Sequence, residues 1–272
     1  MIILSDDLLL SEIEAEVDGA TVDNPVIGWH NVVTIENVSA DSENTLYPAT
    51  NVANPSTYLR WLSDSLSTQY LTVTLSEEEG EVNYVALARH NFGSGNVTVS
   101  VEVLGDSGWE EVNAAVALPD DRPALFRFAR GLYSGVRLKM IPSTDEPTVS
   151  VVYVGELLVL QRRVYVGHSP LTHAKTSNVL TGKSESGEFL GRIVLSEGAS
   201  SSVEMQNLTA SWYREHMTPF VENSKEYPFF FAWRPGTYPL ETGYAWLTND
   251  PRMVNQRSNG MVQTQLQMEG IS

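Results

Sequence analysis

Cysteine is absent from the 272 residues. Its absence excludes disulfides and thiolate metal centres, so the chain must be held by packing alone. That fits synthesis in a reducing cytoplasm. No apolar run approaches the about 20 residues a membrane helix needs, so no membrane insertion is expected. Positive charge is scarce, with 17 Lys and Arg against 34 Asp and Glu, a formal net charge of -17. A surface of that balance repels phosphate backbones, and no nucleic-acid partner is expected. The opening MIILSDDLLLSEIEAEVDGA lacks a basic leader, and Asp6 and Asp7 interrupt its apolar part, so it does not read as a secretion signal. Neither end has a lipidation motif. Without a secretory route, the N-x-S/T triplets at Asn37, Asn96 and Asn207 read as chance matches.

Recognisable catalytic patterns are equally scarce. Of the five histidines, His168 and His173 sit five apart in a polar stretch with no third ligand evident. No G-x-S-x-G elbow and no EF-hand spacing occurs. Gly182-Lys183-Ser184 resembles the end of a phosphate-binding loop, but position 177, where the first glycine belongs, is Ser. The run Glu77-Glu78-Glu79 with Glu81 reads as a solvated turn, as does Asp120-Asp121 before Arg122-Pro123. No catalytic residue, metal or cofactor is expected, and the chain reads as a non-enzyme. Arg122, Arg127, Arg130, Arg137 and Lys139 crowd one segment of an acidic chain. They read either as outward positions on strands or as a patch for an acidic partner face.

What is present is β pattern. The hydrophobic fraction is 42%, enough for real cores in one large or two ordinary domains. Residues 1–26 read as an extended arm that either folds back as part of the C-terminal module or reaches another subunit. Its alternation of Glu12, Glu14, Glu16 and Asp18 with Ile13, Ala15 and Val17 suggests a half-exposed strand. From 27 to 160 every signal is β. Tyr70 to Leu75 and Val97 to Val103 alternate cleanly, and Val136 to Met140 is two-faced. Val82 to Ala88 is a near-continuous apolar run, as expected of a central buried strand. Turn clusters at Asn91 to Asn96 and Gly105 to Gly108 punctuate them. Many short strands and no convincing helix argue for a β-sandwich.

The order of these cues resembles the discoidin-like, galactose-binding-like jelly roll. The resemblance rests on Ala49 to Pro55, Arg60-Trp61-Leu62-Ser63, the strand Tyr70 to Leu75, the central strand Val82 to Leu87, His90-Asn91-Phe92-Gly93 and Gly155-Glu156-Leu157. It implies a recognition domain whose loops at one end meet sugars, lipids or proteins, with Trp61 in the core. His90, Phe92 and Trp109 lie in or next to turns and are the candidate loop contacts for a glycan.

Residues 161–187 read as a linker, with Thr181 to Gly187 a mobile loop. Residues 188–272 read as a second, α+β module. Phe189 to Leu195 and Ser202 to Met205 are strand candidates. Leu208 to Val221 has near-helical apolar spacing, which Pro219 should kink or end. Pro228 to Trp246 is dense in aromatics, and alternation sends Phe229, Phe231 and Trp233 to one face and Phe230 to the other. The plain reading of this area is a core. The sharper one is that Phe229, Phe231, Trp233, Tyr238, Tyr244 and Trp246 are assembly contacts that close against a neighbouring subunit. A last strand spans Gly260 to Met268, with Val262, Thr264, Leu266 and Met268 on one face.

Glu188 to Arg192, Trp212, Pro219-Phe220, Pro228 to Trp233, Tyr238-Pro239 and Tyr244-Ala245-Trp246 together resemble the C-terminal region of tail-tip and baseplate proteins of tailed bacteriophages. The resemblance implies a mainly β chain: a jelly-roll β-sandwich plus a smaller module with one helix packed on a sheet or barrel like that of tail-tube and distal-tail proteins. It implies a structural virion subunit made in the bacterial host cytoplasm, partnered by other copies of itself and other phage tail proteins. The alternative is a carbohydrate-binding or host-attachment module whose partner is a host-surface glycan.

Overall fold

The computed structural model describes residues 1–6, 8, 19–76, 80–164, 167–256 and 260–272. The acid row Glu12 to Asp18, the run Glu77 to Glu79 and the centre of the short strand expected at Val164 to Val166 lie outside the described residues.

The chain is mainly β and builds three sheets, with strands labelled in chain order. The first sheet runs β1 (Ile2–Leu4), β9 (Ala124–Gly131), β6 (Val82–His90), β11 (Thr148–Gly155) and β4 (Trp61–Leu62). The second runs β3 (Val38–Ala40), β5 (Gln69–Thr74), β10 (Gly135–Ile141), β7 (Thr98–Gly105) and β8 (Gly108–Ala117). The third runs β12 (Leu158–Val159), β2 (Val26–Gly28), β15 (Phe229–Ala232), β16 (Thr242–Leu247), β18 (Met261–Ile271), β14 (Phe189–Thr209) and β13 (Lys175–Lys183), with β17 (Val254–Asn255) on β18.

The first two sheets face each other across one core. Leu71 and Val73 of β5, the valines 99, 101 and 103 of β7, and Val85 and Leu87 of β6 meet there with Trp61 and Phe92. This is the period-two alternation at work. The outer face of the first sheet is not exposed. Tyr84, Ala86 and Ala88 of β6 point away from that core into a second apolar layer with Phe230, Ala232 and Tyr244 of the third sheet. β6 is therefore apolar almost throughout because both its faces are covered. The other face of the third sheet carries Phe229 and Phe231, against Trp212, Met217 and Phe220 of a helical segment. The layers run helix, third sheet, first sheet, second sheet.

The helical segment comprises α1 (Ala210–Trp212), a π turn (Tyr213–Met217) and α2 (Thr218–Asn223). Thr209 caps α1, accepting from the N–H of Trp212 at 3.4 Å. Pro219 falls in the first turn of α2, where a missing N–H costs least. The π turn just before it loosens the register, and Thr218 Oγ1 donates to Tyr213 O five residues back at 3.2 Å. Proline changes the helix type here and does not end the helix.

Several boundaries shift. Ile2–Leu4 of the expected arm pairs in parallel with Leu125 to Arg127 and so edges the sandwich. Val26–Gly28 and Leu158–Val159 pair with each other and join the third sheet, so the end of the arm goes with the C-terminal module while both ends of the stretch 27–160 leave the sandwich. The expected linker 161–187 contains β13, and the expected mobile loop closes a hairpin: the Ser184 N–H donates to Glu188 O and the Glu188 N–H to Ser184 Oγ, with Gly187 at φ +87. These segments are too short to show a period, so only their strand partners reveal where they belong.

Candidate functional site

The expected assembly aromatics divide in two. Phe229, Phe231 and Tyr244 are buried within this chain and are not available to a neighbour. Phe230, Tyr153 and Tyr244 form an edge-on and tilted cluster, with centroids 4.8 to 6.1 Å apart. Each tyrosine hydroxyl is satisfied, Tyr244 donating to Pro55 O at 2.8 Å and Tyr153 to Pro228 O at 3.1 Å. Burial pushes the Tyr153 phenol up to about 12 and the Tyr244 phenol higher still. The cover that the sequence suggested a neighbour would supply comes from within the chain: the helical segment covers Phe229 and Phe231, and the outer face of the sandwich covers Tyr244. Trp233 is half-buried, stacked on Tyr238 at 5.4 Å, and donates to Glu241. Only Tyr238 and Trp246 of the six are exposed.

The loop candidates fare similarly. Phe92 is fully buried and His90 nearly so. The N–H of Phe92 donates to His90 Nδ1 at 3.2 Å, so Nε2 carries the proton and donates to Arg122 O at 2.9 Å. Both ring nitrogens are engaged, and burial lowers the pKa of His90 to about 4. Neither residue offers a ligand a free face. Trp109 is half-buried, with the Arg137 guanidinium 4.1 Å from its ring centroid and 4.2 Å from that of Tyr70.

The basic segment is spent inside the chain. Arg137 and Lys139 both meet Glu102, Arg130 meets Glu81 and Glu156, and Arg122 meets Asp120. Arg127 is buried. Four of the five bases are thus paired with acids of this chain, which reduces the charge open to an acidic partner face. Among the described residues no cluster of His, Asp or Glu is arranged to hold a metal. His173 meets Glu241 at 3.0 Å, while His168 sits edge-on to Trp233.

What stands open is a ribbon the sequence reading did not single out. β14 pairs with β18 only from Ala199 onward. Its first ten residues, Phe189 to Gly198, pair with β13 alone. At the usual rise this two-stranded overhang is about 30 Å long. Leu180 pairs with Ile193, and Val179 with Val194 in the next register position, so both faces of the ribbon carry large apolar side chains. Leu180, Phe189, Leu190, Ile193, Val194 and Leu195 are each more than half exposed, Phe189 and Leu190 reaching 67% and 68%. Scattered exposed apolar residues are ordinary, but six on one projecting hairpin form a patch of the kind that marks an interaction surface. A two-stranded ribbon is itself marginal in water without a covering layer. The sequence signal was Phe189 to Leu195, where Phe189-Leu190 and Ile193-Val194-Leu195 put apolar side chains on neighbouring positions either side of Gly191-Arg192; it reads as a strand, and only the missing third neighbour shows it to be exposed.

No family model and no curated protein matches the chain. Solved structures similar to the chain include carbohydrate-binding modules. Chitosan-binding module 1 from a chitosanase/glucanase of Paenibacillus sp. IK-5 is 21% identical, covering 46% of this chain and 98% of its own, with a TM-score of 0.40. The CBM32 of AlyQ, solved with 4,5-unsaturated mannuronic acid, is 17% identical, covering 46% and 95%, with a TM-score of 0.36. The family 32 module of Clostridium perfringens NanJ, solved with galactose, is 13% identical, covering 44% and 92%, with a TM-score of 0.37.

Proposed function

We propose that this chain is a structural subunit that assembles in several copies through the ribbon of β13 and β14 and presents its sandwich outward. The observation that carries this reading is the overhanging hairpin with apolar side chains on both faces. Covering roughly half of that area would supply several kcal/mol at about 25 cal/mol per Å², enough to offset part of the freedom lost on association. β13 is also an edge strand of its sheet, with backbone groups open to pairing. The finer reading places the subunit in the tail tip or baseplate of a tailed bacteriophage, made in the host cytoplasm, with other tail proteins as further partners. It rests on the order of aromatic and turn residues from Glu188 to Trp246. No catalytic role is proposed.

Light scattering on the eluting protein tests the assembly. The unaltered chain should run as a multiple of 30.1 kDa. Leu180→Glu with Ile193→Glu should run as a monomer with the far-ultraviolet signature of the parent. An unaltered chain that stays monomeric at its highest soluble concentration would sink the ribbon reading. Mass spectrometry of purified virions tests the tail assignment separately.

A second reading, glycan contact at one end of the sandwich, has a single feature in its favour. Tyr58 is 89% exposed, close in sequence to Arg60, whose guanidinium lies 4.5 Å from the ring centroid of Tyr47. An exposed aromatic beside a held cation suits a sugar face. On a glycan array, Tyr58→Ala should abolish binding if that loop is the site.

A further inference from the structure

The junction between the two modules holds a pair of cavities that share Trp29. One, of about 280 Å³, is lined by Trp29, His30, Arg130, Glu156, Trp212 and His216 among others. The other, of about 400 Å³, includes Trp29, Asn31, Tyr153, Asn223 and Tyr227. Residues from the sandwich, the β2 extension and the helical segment all contribute, so the site exists only in the assembled chain. Its walls are aromatic: Trp29 meets His30 edge-on at 5.7 Å, and Trp212 and His216 lie 5.8 Å apart at 36°.

Three polar atoms of these lining residues have no protein partner: His30 Nδ1, Trp212 Nε1 and Asn223 Oδ1. A covered polar atom left unmet is destabilising, so three around one junction call for an explanation. The rest of the site is held firmly. Tyr84 donates its hydroxyl to His30 O at 2.6 Å, and Gly155 lies so close to that carbonyl that a Cβ would collide with it.

The unmet atoms define the ligand chemistry. At the smaller cavity the indole N–H of Trp212 only donates, and at the larger one Asn223 Oδ1 only accepts, so a ligand spanning both must offer acceptors and donors. Hydroxyl groups do both. Arg130 is held by Glu81 and Glu156, and Glu215 adds a further acid at the rim, which disfavours anions. A cationic amine would meet the acids and the rings but leave the indole N–H unsatisfied. We infer that the Trp29 junction binds a neutral polyhydroxylated ring, one sugar unit in the smaller cavity and a second beyond Trp29. This inference is independent of the ribbon; the larger cavity is also lined by Ala53 and Pro55, just before the Tyr58 loop, but neither cavity is lined by Tyr58 itself.

The test uses the full-length protein and its six tryptophans, Trp29, Trp61, Trp109, Trp212, Trp233 and Trp246, whose indole N–H signals report separately by nuclear magnetic resonance. Methyl glucoside, methyl galactoside and their β1,4-linked disaccharides are titrated, with a short neutral peptide and choline as controls. The Trp29 and Trp212 signals should shift with a glycoside at a dissociation constant on the order of 1 mM, while the other four stay. Trp212→Phe keeps the ring and removes the N–H; it should weaken binding by roughly fivefold, as expected for one hydrogen bond. His216→Ala, at a part-exposed ring, is the second variant and should weaken it too. Shifts confined to Trp61 or Trp109 would move the site to the sandwich and overturn the inference. So would a response to the peptide or choline alone, or no shift with any glycoside.

Discussion

The junction and the ribbon belong to one sheet and treat apolar surface in opposite ways. At β15 and β16, Phe229, Phe230, Phe231 and Tyr244 are all covered, one face by the helix and the other by the sandwich. At β13 and the start of β14, Leu180, Ile193, Val194 and Leu195 are uncovered on both faces. Composition does not separate the two regions, since both are runs of large apolar residues. Layer count does: the middle of the sheet has a layer on each side, and the overhang has none. The chain completes its own core where the sequence most strongly suggested a partner, and leaves bare the segment that looked like a linker and an ordinary strand.

Four substitutions break or sharpen that contrast. The largest effect is expected from Phe230→Ala, which opens a cavity where Tyr153 and Tyr244 pack. It should cost about 3–5 kcal/mol, read as a lower denaturation midpoint with urea. A loss below 1 kcal/mol would mean the modules are not joined through that layer.

The second is a pH effect on the sandwich. Folded His90 titrates near pH 4 against an ordinary value of about 6.5, so the unfolded chain binds the extra proton first. Its stabilising contribution is complete above about pH 6.5 and is lost as the pH falls from there through about 4, with an upper bound of about 3 kcal/mol. Protonation also places a hydrogen on Nδ1, against the N–H of Phe92. His90→Gln should flatten the slope of stability against pH over that window; an unchanged slope would show that other groups govern it.

The third is Gly28→Ala. A Cβ there would lie 2.8 Å from Tyr84 Cε2, so β2 or the tyrosine must move. A loss of about 1–3 kcal/mol is expected, measured by thermal melting, because overpacking forces off-rotamer side chains. The smallest intrinsic effect belongs to the ribbon. Ile193→Ser should change monomer stability by no more than about 0.5 kcal/mol, since an exposed side chain has little packing to lose. Any larger change, measured under conditions that hold the chain monomeric, would mean the ribbon is covered within its own subunit.

Much of the sandwich was legible because its strands obey period two: Tyr70 to Leu75 lies as the alternation predicts and Val82 to Ala88 is the doubly covered centre, whereas Val97 to Val103 buries its valines as expected but buries Ser100 and Glu102 on the other face as well. The alternation of Phe229 and Phe231 against Phe230 was legible for the same reason, as was the face of Val262, Thr264, Leu266 and Met268. The candidate contacts were not. His90 and Phe92 follow a strand and precede a turn, and a linear chain does not reveal that Asp121 and Arg122 fold over that turn to bury them. Trp29 and His30 were not grouped with Trp212 because the pair is distant from it in sequence and meets it only when β2 joins the third sheet.

By itself the sequence determined the chemistry and the local geometry: cohesion without cysteine, a strongly acidic surface, strands where side chains alternate and turns where Gly, Asn and Asp collect. Those follow from covalent structure and short-range sterics, which each residue carries with it. Only the tertiary structure decided which apolar faces are covered and which are bare, because burial belongs to pairs of distant segments. β15 found the sandwich on one side and the helix on the other, and the ribbon found neither.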